Sequence, residues 1–178
     1  MKTVSFVYEG VLPKALTDLK GEILVQIFDG LGNIGLINEL VDKLNKCLDK
    51  PVIVGTSTPL SISNGEFLER KVTCSVTSFE KTRLKLSLVE DISRFKETIY
   101  ESLEVDTKGC LIYSSRHTHL EILSEDFRTF SSLFFFGSLG GNTLSGDYVI
   151  HDKVIDSDVI LVVTFSGEIE FHQATIES

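Results

Sequence analysis

A strand–helix–strand pattern near the N-terminus is the strongest constraint on what this chain can fold into. The run Glu22 to Phe28 is apolar in the manner of strands covered on both faces. Apolar residues from Ile34 to Leu48 recur at helical spacing, and Pro51 then separates that helix from the apolar run Val52 to Val54. We therefore predict a βαβ unit, in which two parallel strands are joined by a right-handed crossover.

Two later segments alternate apolar and polar residues, which is typical of strands with one solvated face. They are Lys71 to Ser78 and Arg83 to Val89, and the short turn between them predicts an antiparallel hairpin. A helix capped by Asp91 or Ser93 is predicted to run to about Leu103, because its apolar residues recur at helical spacing.

The C-terminal half of the chain predicts further strands around one more helix. A strand is predicted at Cys110 to Tyr113, a helix at Leu120 to Phe130, and a strand at Leu133 to Phe136. An antiparallel meander is then predicted from three short segments, Tyr148 to His151, Lys153 to Ile155 and Val159 to Phe165. The predicted fold class is α/β (mixed α+β), with helices packed on a mixed β-sheet, and residues 1–178 are expected to form one domain.

Composition limits the partners of this chain. The formal net charge of −9 disfavours nucleic acids and anionic membranes, since either partner requires a basic face. No apolar run approaches the roughly 20 residues that cross a bilayer, so a cytoplasmic protein is expected. Three widely spaced cysteines, Cys47, Cys74 and Cys110, predict buried free thiols in a reducing compartment. The abrupt C-terminal sequence HQATIES suggests a piece of a longer protein.

A small polar turn follows the second strand of the βαβ unit. Gly55 precedes three hydroxyl-bearing residues, Thr56, Ser57 and Thr58. Hydroxyl groups and backbone amides at the carboxyl end of a strand suit the recognition of carboxylate or amide groups on a small metabolite. The alternative is a polar turn ended by Pro59. No activating base is evident nearby, so these hydroxyls are not predicted to be nucleophiles.

A second glycine cluster follows the strand Leu133 to Phe136. Consecutive glycines allow close approach of a ligand and leave backbone amides available as donors. The ligand contacts predicted here are Gly137, Gly140, Gly141 and Asn142. A long hairpin loop is the alternative explanation.

The segment Gly30 to Gly35 matches the G-x-G-x-x-G pattern of dinucleotide sites. Asp29 precedes the first glycine, where its charge would repel a pyrophosphate, and no acidic residue follows the next strand to bind a ribose. A tight turn and helix start is therefore favoured, with a nucleotide-dependent enzyme as the alternative function.

Histidines do not predict a metal site. His117 and His119 form an H-x-H pair without a visible third ligand, and His151 and His172 are isolated. The sequence therefore predicts no catalytic residue, no metal and no cofactor.

Several of these segments together resemble the N-terminal half of the FIST sensory domain. EILVQIFDG and the helix after it are similar to the strand and helix that precede the family's signature. PVIVGTSTPLSISNGEF is similar to its "viG-cSTaGei-g" segment. VTCSVTSFEKTRLKL is similar to its strand pair around Ser-Phe, and FFFGSLGGNTLSGDYVIHDKVIDSDVILVVTF to its double-glycine segment. The chain differs in having Pro59-Leu60 in place of Ala-Gly, and Ser138-Leu139 inserted before the double glycine.

The resemblance implies a sensory role in bacterial intracellular signalling. Members of the family, to which some F-box proteins are related, are proposed to bind small molecules such as amino acids. They are often fused to chemotaxis, histidine kinase or cyclic-di-nucleotide modules. The resemblance thus implies a detached or excised ligand-binding input domain, for which a covalently attached output domain is a candidate partner.

These observations lead to a cytoplasmic, non-catalytic sensory domain whose two polar segments are expected to form opposite lips of one pocket. Each polar segment follows an apolar strand. The carboxyl ends of these two strands would therefore lie together if the strands are neighbours. Another alternative is a protein-interaction module without a pocket. It would use the edge of the C-terminal meander or the region Phe127 to Phe136 to bind a partner or form a homodimer.

Overall fold

Two sheets that pack face to face form the centre of the computed structural model, which describes residues 1–63, 66–115, 123, 126–141 and 146–172. The described helices are α1 (Ile34–Cys47) and α2 (Phe95–Ser102), with 3-10 helices at Lys14–Asp18, Ile92–Arg94 and Arg128–Phe130. The strands are β1 (Lys2–Val7), β2 (Glu22–Asp29), β3 (Val52–Ser57), β4 (Leu60–Ser63), β5 (Glu66–Glu69), β6 (Val72–Phe79), β7 (Thr82–Val89), β8 (Thr107–Ser114), β9 (Phe134–Leu139), β10 (Val149–His151), β11 (Val154–Asp156) and β12 (Ile160–Gly167).

The six-stranded sheet has the order β1-β6-β2-β3-β10-β11, and the four-stranded sheet has the order β7-β12-β8-β9. Strands β4 and β5 form a separate antiparallel hairpin. One apolar cluster lies between α1 and the six-stranded sheet, a second lies between the two sheets, and a third lies between the four-stranded sheet and α2. The result is a four-layer arrangement of helix, sheet, sheet and helix, which confirms the α/β class.

The predicted βαβ unit is confirmed. Strands β2 and β3 pair in parallel, with Leu24 opposite Val52, and α1 connects them. The helix begins after Asn33, whose side-chain oxygen accepts from the Leu36 amide at 3.1 Å. Its buried residues are Ile37, Leu40, Val41 and Leu44, which pack on the sheet. None of the helices in the described ranges has the length and apolar character needed to span a bilayer.

The predicted hairpin between β6 and β7 is wrong. Strand β6 lies between β1 and β2 in the six-stranded sheet, whereas β7 pairs with β12 in the four-stranded sheet. The turn after Phe79 therefore passes the chain from one sheet to the other. Both faces of β6 are covered: Val76 packs toward α1, and Phe79 packs against Phe165 between the sheets. A strand buried on both faces needs partners at both edges, and β1 and β2 provide them.

The predicted meander is confirmed for its first two strands and wrong for the third. Strands β10 and β11 pair antiparallel at the edge of the six-stranded sheet. Strand β12 instead lies between β7 and β8, antiparallel to both. Its residues Leu161 and Val163 face the cluster between the sheets, while Ile160 and Val162 face the α2 cluster. A strand that is apolar on both faces is stable at the centre of a sheet and not at its edge.

The prediction for α2 is confirmed, and the prediction of buried free thiols is confirmed for two of the three cysteines. Asp91 caps the 3-10 turn that leads into α2, accepting from the Ser93 amide at 2.9 Å. Cys74 and Cys110 are buried free thiols, and Cys47 is free and half-buried. Burial raises the pKa of Cys110 to about 12, so this thiol stays protonated and unreactive. The helix predicted for residues 120–130 lies partly outside the described residues. Within this range, residues 123, 126 and 127 are helical, and residues 128–130 form a 3-10 helix.

Candidate functional site

The carboxyl ends of β3, β8 and β9 meet at one corner of the molecule, which we call the β3–β9 corner (residues 55–58 and 137–141). The Gly140 amide donates to the Ser114 carbonyl oxygen at 2.6 Å. The Gly141 amide donates to the Ser57 carbonyl oxygen at 2.9 Å, and the Ser57 hydroxyl donates to the Gly141 carbonyl oxygen at 3.1 Å. The two segments singled out from the sequence are therefore in direct contact, although they lie at the ends of strands in different sheets. Asn142 lies outside the described residues.

The hydroxyl groups of Thr56 and Ser57 are buried and have backbone partners. Thr56 Oγ1 donates to the Tyr148 carbonyl oxygen at 3.0 Å, and Ser57 Oγ accepts from the Tyr148 amide at 3.0 Å. The Ser57 amide also donates to the Tyr148 carbonyl oxygen. These bonds hold the segment before β10 against the end of β3. Thr58 is half-buried, and its hydroxyl donates to the Leu60 carbonyl oxygen at 2.6 Å within the turn.

At two positions of the corner, neighbouring atoms lie so close to the backbone that only glycine fits. A Cβ added at Gly141 would lie 2.3 Å from Pro59 Cδ, and one added at Gly137 would lie 1.8 Å from the Ile112 carbonyl oxygen. Neither position accepts a side chain unless the neighbouring backbone moves. Gly55 is placed similarly in the interior of the sheet, beside Ile27 of β2.

Asp29 ends β2 beside this corner and is fully buried. Its Oδ1 accepts from the amides of Leu31 and Gly32 at 2.8 and 3.0 Å, and its Oδ2 accepts from the Tyr148 hydroxyl at 2.5 Å. Burial, and then the bond to Asp29, raise the pKa of Tyr148, so its hydroxyl remains protonated as a donor. The Asp29 carboxylate already accepts hydrogen bonds from backbone amides that a nucleotide phosphate would need. The segment Gly30 to Gly35 is therefore better explained as a tight turn and helix start than as a nucleotide site.

A cavity of about 310 Å³ adjoins the corner on the face of the four-stranded sheet that carries α2. Its wall includes Ile112 and Ser114 on β8, Phe135, Gly137 and Ser138 on β9, and the nearby side chains Leu123 and Phe127. The rings of Phe127 and Phe135 stack with centroids 4.6 Å apart and an interplanar angle of 30°. Gly137 therefore belongs both to the predicted segment and to the cavity wall.

Some residues of this region were not predicted from the sequence. Tyr148 was assigned only to a strand, and Ser114 was not considered. The sequence feature that could have pointed to Tyr148 is Asp29. An acidic residue buried at the end of an apolar strand requires hydrogen-bond donors, and Tyr148 is one of them. Phe127 and Phe135 were noted as a phenylalanine-rich region, without an assigned cavity.

The histidine pair His117 and His119 lies outside the described residues. His151 lies in β10 opposite Val54, and His172 is exposed, with Nε2 3.6 Å from a carboxylate oxygen of Glu170. Within the described part of the chain, no three metal-ligating side chains of the His, Cys, Asp or Glu type come together.

Comparison with known proteins gives one family. The sequence matches the family described as the FIST N domain over residues 24–177, which is nearly the whole chain and runs from within β2 through β12. The comparison with curated proteins gave no match. On the family match, this chain belongs to the FIST N domain family, a family of sensory domains in signal transduction proteins.

Proposed function

We propose that residues 1–178 form one non-catalytic, cytoplasmic sensory input domain that binds a small metabolite at the β3–β9 corner and the cavity beside it. The observation that carries this proposal is that β9 runs continuously from the cavity to the β3–β9 corner. Gly137 lines the cavity, and three residues later the Gly140 amide bonds to the end of β8. A ligand in the cavity would therefore contact the same strand that closes the corner.

Recognition rather than catalysis is supported by the partners of the hydroxyl groups. Thr56 and Ser57 donate to backbone carbonyl oxygens, and both side chains are fully buried. A nucleophilic serine or threonine needs a side-chain base within hydrogen-bonding distance, whereas these hydroxyls serve to hold chain segments together. The corner thus supports binding through backbone groups and shape.

The ligand in this proposal is an amino acid or another small polar metabolite. Residues 55–58 supply one side of the site, and Gly137, Gly140, Gly141 and Asn142 supply the facing segment, which the ligand contacts. Binding shifts the population between two arrangements of this segment, and the shift acts on an attached output domain of the kinase, chemotaxis or cyclic-di-nucleotide type, or on a homodimer.

A thermal-shift screen of the full chain against the amino acids and small uncharged and carboxylate metabolites tests the proposal. A ligand at 100 times its Kd stabilises the folded state by about 2.7 kcal/mol, which is a measurable increase in Tm. We expect at least one compound to raise Tm in a concentration-dependent manner. Absence of any shift across the screen, with the protein folded throughout, would contradict a small-molecule sensor.

A further inference from the structure

We propose that residues 168–172, which follow β12 and are called the 168–172 arm below, form a detachable arm that clamps the edge strand β9. Phe171 is the anchor of this arm. Because β9 continues into the β3–β9 corner, release of the arm loosens one side of the proposed binding site. This regulatory consequence rests on the proposed function, whereas the clamp itself is measured without a ligand.

A notch in the four-stranded sheet receives the ring of Phe171. Gly109 of β8 lies opposite Phe165 of β12 on one side and opposite Phe134 of β9 on the other. Residues that lie opposite one another in a sheet share a face, so a glycine between two phenylalanines leaves a gap of one side chain. The Phe171 ring occupies this gap, since a Cβ added at Gly109 would lie 2.7 Å from Phe171 Cε2. The sheet is therefore shaped to accept a ring at this position.

Three rings of the sheet contact Phe171. The Phe171 ring stacks on Phe134, with centroids 5.2 Å apart and an interplanar angle of 3°. It lies 5.2 Å from the ring of Phe136 at an angle of 46°, and it meets Phe165 edge-on at 5.7 Å. Such aromatic pairs contribute stability beyond the area that they bury. Phe134 and Phe136 both belong to β9, so the anchor holds this strand at two positions.

Strand β9 depends on such support because it is the last strand in the order of its sheet. Its backbone pairs with β8, from Phe134 opposite Gly109 to Leu139 opposite Ser114. Strand β12, in contrast, pairs with both β7 and β8. A strand at an edge opens more readily than one that is bonded on both sides. The rings of the arm and of β9 therefore supply a second attachment for β9.

The arm has few attachments of its own, which makes it separable from the rest of the fold. At its start, the Glu168 amide donates to the Lys81 carbonyl oxygen at 3.2 Å, and Ile169 packs at the margin of the cluster between the sheets. Beyond Ile169, the hydrogen bonds, ion pairs and ring contacts that join the described part of the arm to the sheets are those of the Phe171 ring. A short segment held mainly by one side chain opens at a smaller free energy than the whole fold.

A tryptophan reporter tests whether the arm detaches. The protein contains no tryptophan, so Phe171→Trp places a single indole at the notch. His172→Trp, at a side chain that is 85% exposed, is the reference for a released arm. In a urea titration of Phe171→Trp, we expect the indole emission to move to the wavelength of the reference before the far-ultraviolet circular dichroism changes. Coincident transitions would show that the arm unfolds with the core, and they would overturn the inference.

Hydrogen exchange of the full chain, measured by mass spectrometry, tests the clamp and decides the question if the larger indole does not enter the notch. Phe171→Ala removes the anchor, and His172→Ala changes the exposed residue beside it. We expect the amides of β9 to exchange roughly tenfold faster in Phe171→Ala and within about twofold of the wild type in His172→Ala. Strand β7, at the opposite edge of the same sheet, is the internal control and should be unchanged. Equal exchange of β9 in all three proteins, or equal acceleration of β9 and β7, would overturn the inference.

The clamp and the proposed function can fail independently. Both experiments use the protein without a ligand, so the absence of a thermal shift in the screen does not affect the clamp. If a compound does raise Tm, its Kd should increase in Phe171→Ala and stay unchanged in His172→Ala. An equal Kd in the two variants would contradict the regulatory consequence, even where the exchange of β9 shows the clamp.

Discussion

Ser57 and Gly141 form a reciprocal pair of hydrogen bonds, in which each residue donates to the carbonyl oxygen of the other. The Ser57 donor is its hydroxyl, at 3.1 Å, and the Gly141 donor is its amide, at 2.9 Å. The pair joins the end of β3 in one sheet to the chain that leaves β9 in the other. It therefore connects the six-stranded sheet to the strand that forms part of the cavity wall.

Replacing Ser57 by Ala tests the contribution of this pair to stability. The change leaves the Gly141 carbonyl oxygen without its hydroxyl donor and the Tyr148 amide without its acceptor. Buried groups left unpaired cost roughly 1–3 kcal/mol each, so we expect a clearly lower free energy of unfolding in urea. Ser5→Ala, at an exposed serine of β1, is the matched control and should change stability by less than about 0.5 kcal/mol. Equal midpoints for both variants would show that the pair contributes nothing.

Tyr148→Phe tests the bond to the buried carboxylate of Asp29. The variant keeps the ring but removes the donor at 2.5 Å, leaving Asp29 with the two backbone amides of the turn. Losing a partner of a buried charged group costs about 1–3 kcal/mol or more, and denaturation by urea measures this loss. Tyr100→Phe, at a tyrosine that is 58% exposed, is the control and should be nearly neutral. A variant as stable as the wild type would mean that Asp29 does not depend on this donor.

Stability is expected to fall at alkaline pH because buried tyrosines resist ionisation. Burial raises the pKa of Tyr113 to about 12 from its ordinary value near 10, and the pKa of Tyr148 is raised as well. The folded state thus retains protons that the unfolded state releases above pH 10. The contribution to stability is complete below about pH 10 and is lost as the pH rises through the folded pKa.

Urea midpoints measured from pH 8 to pH 11 should therefore decrease in the wild type. Tyr113→Phe also removes the acceptor of the Gln26 side chain, so it lowers stability at every pH, but its slope above pH 10 should be shallower. Parallel slopes in the two proteins would contradict a raised pKa at Tyr113.

Gly141→Ala tests the close contact between the second glycine segment and Pro59. The added methyl group would lie 2.3 Å from Pro59 Cδ, so the segment or the proline must move. We expect a loss of roughly 1–3 kcal/mol in stability, together with weaker binding of any ligand found in the screen. Gly35→Ala, in the first turn of α1, has its nearest neighbour at 3.5 Å and is expected to be neutral or slightly stabilising. Wild-type stability and binding in Gly141→Ala would show that the corner is not tightly packed.

Local sequence patterns were sufficient to identify most elements near the site. The apolar runs around Val25 and Ile53, with helical spacing between them, predicted β2, α1 and β3 and their parallel pairing. The glycines and hydroxyl residues that follow β3 and β9 marked the two segments of the corner. These features are local, because strand period, helix period and turn chemistry are each set within a few residues.

Only the tertiary structure decided which strand lies beside which. Phe79 and Leu84 belong to strands that are adjacent in sequence, yet these strands separate into different sheets and meet across the core. The alternation of apolar and polar residues shows which face of a strand is buried. Either sheet could bury that face equally well, so the sheet that a strand joins depends on packing summed over the whole chain. The buried link from Asp29 to Tyr148 arises in the same way, because it joins residues 119 positions apart whose proximity no local pattern encodes. The cavity likewise depends on how β8 and β9 pair with each other.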